Sequence, residues 1–208
     1  MQAQVRNVAG AESRTLLAHA SAHASLGRAI RVAACAFAVA LTAAAAQVTA
    51  PLPFTAVPLV LTPLAVMLTG AALGSRLGFL TQTAYLMAGA AGLQVFAPSV
   101  TLPPGALRLL GPTGGYLMAY PLAAFATGWL AERGWDRRYV TAAAAMLVGL
   151  TIIFVGGVAW LRAAGFAPSW TVAVATGFLP HIGFDLVKVL AAAAILPQAW
   201  RIAGRGQT

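Results

Sequence analysis

The sequence predicts an all-α membrane protein, a bundle of six transmembrane helices, on three observations. Hydrophobic residues make up 60% of the 208-residue chain and charged residues only 8%, against roughly a quarter charged in ordinary soluble domains. The stretches 32–75, 77–107, 109–131, 139–161 and 163–184 contain no Asp, Glu, Lys or Arg, and each can hold the ~20 residues that a bilayer span needs. With a cytoplasmic N-terminus, 10 of the 13 basic residues fall on the inner side, as the positive-inside rule requires.

The first span is expected at Ile30–Val48 and the second, unusually short, at Leu59–Leu73, with the turn "PLPFTAVP" (51–58) dividing them. Leu77–Phe96, Gly114–Ala131 and Val140–Leu161 supply the next three. Proline near both ends of "APSWTVAVATGFLP" (167–180) marks an interfacial segment leading to the sixth, Ile182–Leu196. Pro180 suits the start of a helix better than its interior. The domains are then a cytoplasmic tail over 1–27, a membrane domain over 28–200 and a cytoplasmic tail over 201–208. A rival reading makes 32–46 the apolar core of a cleaved signal peptide, with "VTA" before Pro51 as the cleavage site; the other five spans keep their orientation. Cys35 is the single cysteine, which excludes an internal disulfide and a multi-cysteine metal site.

The net charge of +9 does not point to nucleic acid. The basic residues cluster at helix ends, where they face anionic headgroups of the bilayer. Arg108 and Arg162 fall outside, and Lys188 lies in the sixth span. Trp160 and Trp170 fit the outer interface, and Trp135 and Trp200 the inner one.

Asp185 and Lys188, inside "HIGFDLVKVL", are the first candidates for function. A charge at the centre of a spanning helix costs ~2.5 to 3.5 kcal/mol on insertion scales. Three residues apart, the two can neutralise each other, but desolvation commonly outweighs that gain. An acceptor beside a donor suits a polar ligand head that offers both. A second candidate is "LRLLGPTGGYLMAYPLAAF" (107–125), where Gly111, Gly114 and Gly115 permit a tight turn and close approach and Arg108 can meet an anion. The same stretch also reads as a plain turn into a helix. A third is the four-residue alanine spacing of the first span, with Ala36 and Ala40 at its centre. Such a face lets another helix come close, either within the bundle or from a partner. His181, four residues before Asp185, reads as a core or interfacial histidine. No HExxH, GxSxG or nucleotide-binding glycine motif is present.

The stretches "PLPFTAVPLVLTPLAVMLTGAALGSRLG", "AYLMAGAAGLQVFA", "GPTGGYLMAYPLAAF" and "LPHIGFDLVK", in this order, resemble the BioY family, the biotin-specific substrate-binding (S) components of energy-coupling factor (ECF) transporters. The resemblance runs from about Pro51 to Leu196. It implies a six-helix S-component bundle in the bacterial plasma membrane. It further implies biotin capture at the outer side and transport with a transmembrane ECF coupling subunit and two ATPase subunits. Biotin is then the transported substrate, and no cofactor is implied. The chain departs from the usual family pattern at Gly183 and Phe184, before Asp185, and at Ala119 and Tyr120.

On this resemblance Asp185 accepts from the ureido N–H groups of biotin, and Lys188 donates to the ureido carbonyl or balances the aspartate. Tyr116 and the 111–115 backbone, including Gly114 and Gly115, line the pocket, and Arg108 faces the valerate carboxylate. Ala36 and Ala40 become the docking face for the coupling subunit. Two other classes stay open: a proton-coupled solitary carrier using Asp185 and Lys188 as a relay, and an intramembrane enzyme built from His181 and Asp185.

Overall fold

In the computed structural model the described residues are 15–17, 27–99 and 101–205. Most of the expected N-terminal tail and residues 206–208 lie outside them. The described chain is mostly helical: α1 Gly27–Gln47, α2 Thr62–Leu73, α3 Ser75–Ala90, α4 Leu107–Leu110, α5 Gly114–Ala131, α6 Tyr139–Ala163, α7 Trp170–Gly177 and α8 Leu179–Arg205. A two-residue antiparallel ladder, β1 Thr49–Ala50 against β2 Leu59–Val60, closes the turn between α1 and α2.

The six expected helical segments all form, as α1, α2, α3, α5, α6 and α8. Three of them, α1, α6 and α8, are long and apolar enough to cross a membrane. Helix α2, at 12 residues, rises only ~18 Å at 1.5 Å per residue. It starts later than expected because Leu59 and Val60 are used in the ladder and Pro63 occupies its first turn. Helix α3 ends at Ala90 rather than Phe96, because Gly92 takes a positive φ of 98°. The segment expected at the interface is α7, whose N-cap Ser169 accepts from the Val172 amide at 3.3 Å. Pro180 stands in the first turn of α8, as its chemistry favours, and α8 continues through Pro197 to Arg205.

Helix α5 is the hub, packing on α2, α3 and α6. Lipid gives helices no hydrophobic reason to associate, so close packing must hold them together. A Cβ on Gly70 of α2 would stand 2.3 Å from the Ala124 carbonyl oxygen of α5. Helix α1 is held more lightly, through Ala38, Thr42, Ala45 and Ala46. Gln82 of α3 donates to the Thr42 hydroxyl at 3.1 Å, and that hydroxyl donates to the Ala38 carbonyl. Ala36 and Ala40 lie on the opposite, exposed side of α1; of the two uses open to that face, packing within this bundle is not the one observed.

Two polar ties fasten the end of the bundle at the α5–α6 turn. Glu132 Oε1 accepts from the Ser75 amide at 2.7 Å and its hydroxyl at 2.8 Å, fixing the start of α3. Trp200 Nε1 donates to Asp136 Oδ2 at 2.5 Å, joining α8 to the turn. Burial pushes the Asp136 carboxyl above its ordinary value, opposed by the Trp200 bond.

Because the neighbour of Gly70 is backbone, it cannot rotate aside. Gly70→Val is expected to lower stability by about 1–3 kcal/mol, the usual range for overpacking. The check is the thermal midpoint in detergent, with Gly183→Val as control, since a Cβ at Gly183 meets nothing.

Candidate ligand-binding site

At the opposite end of the bundle, the α1–α2 turn and the 91–113 segment close over α2, α3, α5 and α8. They enclose a cavity of about 470 Å³, within the range of about 300–1,000 Å³ typical of small-molecule sites. Its body is aromatic. Tyr85 and Phe96 meet edge to face with centroids 5.5 Å apart, and Tyr116 meets Phe154 at 6.5 Å in the same manner. The phenolic tips are tied off: Tyr85 donates to the Val95 carbonyl at 3.0 Å and Tyr116 to the Gly177 carbonyl at 2.7 Å. Both bonds also hold chain breaks in place, the first after α3 and the second between α7 and α8.

Asp185 and Lys188 sit one turn apart on α8 and face the cavity. Their side chains are 6% and 14% exposed, and Nζ donates to Asp185 Oδ1 at 2.6 Å. A second Nζ proton goes to the Val60 carbonyl at 2.5 Å. An ammonium has three donors, so one is left. Asp185 Oδ2 likewise accepts no hydrogen bond among the described residues. The pair therefore presents one free acceptor and one free donor side by side.

Arg108 lies in the cavity wall, 7% exposed. It donates to the Leu102 carbonyl at 3.2 Å and to the Ala97 carbonyl, tying both residues to α4. Two of its five N–H donors are used in this way, and the others remain. His181 is also in the wall and meets the Val57 carbonyl through Nε2 at 3.0 Å.

Of the residues the sequence singles out, Asp185, Lys188, Arg108 and Tyr116 converge on this cavity. Gly114 and Gly115 do not. A Cβ at Gly114 would stand 1.9 Å from the Leu109 carbonyl oxygen, and one at Gly115 2.1 Å from Trp160 Cβ. Their smallness serves packing of α5 on α4 and α6, and the cavity is met by their neighbours Pro112, Thr113 and Tyr116. The departures at Gly183 and Phe184 are exposed and outside the wall, whereas Tyr120 is in it. Sequence reasoning missed Tyr85, Phe96 and Tyr120. For the two tyrosines a signal was available: a phenol in an apolar span needs a partner for its hydroxyl; Phe96 offers none.

The BioY family profile matches residues 15–205. The chain belongs to the BioY family. Among BioY relatives, the biotin transporter BioY of Thermotoga maritima is 39% identical over 123 residues, 59% of this chain and 69% of its own. The probable biotin transporter BioY of Pyrococcus horikoshii is 40% identical over 127 residues, 61% of this chain and 70% of its own. The fold is similar to the crystal structure of the S-component for biotin from an ECF-type ABC transporter, with a TM-score of 0.76 at 22% identity, covering 86% of this chain and 94% of that one. With its apolar helices, this BioY chain is a membrane protein.

Removing one member of a buried ion pair strands the other, at a cost of about 3–5 kcal/mol, whereas replacing both with apolar groups is often neutral. Lys188→Met is accordingly expected to destabilise the protein more than Asp185→Leu/Lys188→Met does. Thermal unfolding of the two purified variants in one detergent checks the order.

Proposed function

We propose that this chain is the biotin-capturing membrane component of a vitamin uptake transporter, taking biotin from the outer face and passing it inward with an ECF coupling subunit and two ATPase subunits. The observation that carries this reading is the buried Asp185–Lys188 pair with one acceptor and one donor left unused in an aromatic cavity. The ureido head of biotin offers N–H donors and a carbonyl acceptor, the complement of what the pair leaves open. Asp185 Oδ2 accepts a ureido N–H, and the third Lys188 proton goes to the ureido oxygen. The fused rings lie against Tyr85, Tyr116, Tyr120 and Phe154, and the remaining Arg108 donors meet the carboxylate of the valerate arm.

Membership of a transporter family also makes the chain no enzyme. In this reading α1, α2, α3, α5, α6 and α8 form the six-helix membrane bundle, with α2 and α3 short and close-packed within it. The distribution of basic residues supports cytoplasmic termini. That orientation turns the cavity outward, and the chain sits in the bacterial plasma membrane. The alanine face at Ala36 and Ala40 is open to a partner helix, consistent with docking of the coupling subunit there. The similarity to the biotin transporter of Thermotoga maritima and the probable biotin transporter of Pyrococcus horikoshii supports biotin as the substrate.

Loss of one hydrogen bond to a charged group costs about 1.5–3 kcal/mol, or roughly tenfold to over a hundredfold in affinity. Asp185→Asn and Lys188→Ala are each expected to weaken biotin binding by that factor in calorimetry of the purified protein. Near-wild-type affinity in both removes the pair from the site.

Bulk on the exposed α1 face should spare the cavity and block the partner. Ala36→Trp and Ala40→Trp are expected to bind biotin normally in detergent but to lose co-purification with the coupling subunit and uptake in cells. Normal uptake by both variants excludes this face as the docking surface.

A further inference from the structure

The α1–α2 turn, 51–58, forms one wall of the cavity, through residues such as Leu52, Thr55 and Val57. Three prolines, Pro51, Pro53 and Pro58, remove amide donors from it. Its internal bonds are few: Thr55 N to the Leu52 carbonyl at 3.5 Å and Val57 N to the Thr55 hydroxyl at 3.1 Å. Its base is held by the β1–β2 ladder and by Leu61 N on the Val48 carbonyl. Among the described residues, α8 supplies the hydrogen bonds that reach this turn from another helix: Lys188 on Val60, in the ladder at its base, and His181 on Val57, above it.

The two ties differ in kind. Under the function proposed above, on which this inference rests, Lys188 also serves the ligand. His181 serves only the wall. A carbonyl can only accept, so Nε2 carries the ring proton, and Nδ1 is buried with no partner. A buried nitrogen without a partner is unfavourable, and an apolar ring such as phenylalanine would avoid it. What imidazole adds at this position is the single donor to Val57.

We infer that His181 is a positioning residue for capture: its Nε2–H, given to the Val57 carbonyl, holds the 51–58 wall against α8 and thereby sets how long a bound ligand stays. Ligand leaves when the wall moves off α8, and this bond must break first. Entry is less affected, since an open wall admits ligand with or without the bond.

The test uses the purified full chain in nanodiscs, with radiolabelled biotin as probe. His181→Phe is expected to speed dissociation about five- to tenfold, the effect of one ordinary hydrogen bond, with association little changed. His181→Gln, whose amide N–H stands near the Nε2 position, is expected to restore slow release. His181→Asn, whose amide stands near Nδ1, is expected to behave like phenylalanine. A second arm needs no ligand. Val57 is buried, so a thiol reagent reaches Val57→Cys, in a Cys35→Ser background, only when the wall opens; His181→Phe should speed that labelling. Wild-type dissociation in His181→Phe, a glutamine variant no better than phenylalanine, or unchanged labelling each overturns the inference. If the wild-type protein binds no biotin, the proposed function falls by itself, and the labelling arm still decides whether His181 holds the wall.

Discussion

A carboxylate and an ammonium 2.6 Å apart, both almost out of water within an apolar helix, place a demand that the surrounding structure has to meet. Neither charge is tolerable alone at that depth, and mutual contact does not satisfy all of their hydrogen-bonding capacity. The protein meets part of the demand with the Val60 carbonyl, which requires the α1–α2 turn to fold back over α8. The rest is left open inside the aromatic cavity. Much of the architecture at this end, including the ladder, the proline-rich turn and the break between α7 and α8, can be read as scaffolding that brings these groups together.

The two ends of the bundle divide the work. Around α5, helices meet through glycine and alanine at distances that leave no room for a methyl group, which makes that core stiff. The cavity is roofed by segments held through discrete hydrogen bonds: Arg108 on the 97–102 carbonyls, Tyr85 on Val95 and Tyr116 on Gly177. Such contacts break and re-form more readily than close-packed helices separate, so the cavity end is the more easily opened of the two.

The helices were legible because apolar runs between charges are a strong signal for spans. Asp185 and Lys188 were legible because charges are conspicuous against that background. The helix boundaries were not: Leu59 and Val60 pair in a two-residue ladder with Ala50 and Thr49, a contact that periodicity does not encode. Gly114 and Gly115 were misplaced because a glycine needed for helix contact and one needed for a ligand look alike in sequence; only the neighbours Leu109 and Trp160 separate the two. The hydroxyls of Tyr85 and Tyr120 hinted at a buried partner, but the direction of an aromatic side chain in a membrane helix depends on tertiary packing, and Phe96 lies beyond the end of α3, where no periodicity applies.

The staple at Arg108 has an electrostatic consequence. Among the described residues its guanidinium meets no acid: the partners it takes are carbonyl dipoles. Asp185 cancels only Lys188. Arg108 and the Asp185–Lys188 pair together leave one uncompensated positive charge around the cavity among the described residues. An empty cavity of this kind favours a guest with a single negative charge and disfavours the same guest once its acid is masked as an amide or ester. Selection for a free carboxylate would then reside in the field of the whole chamber, and would weaken less with distance from Arg108 than a hydrogen bond does.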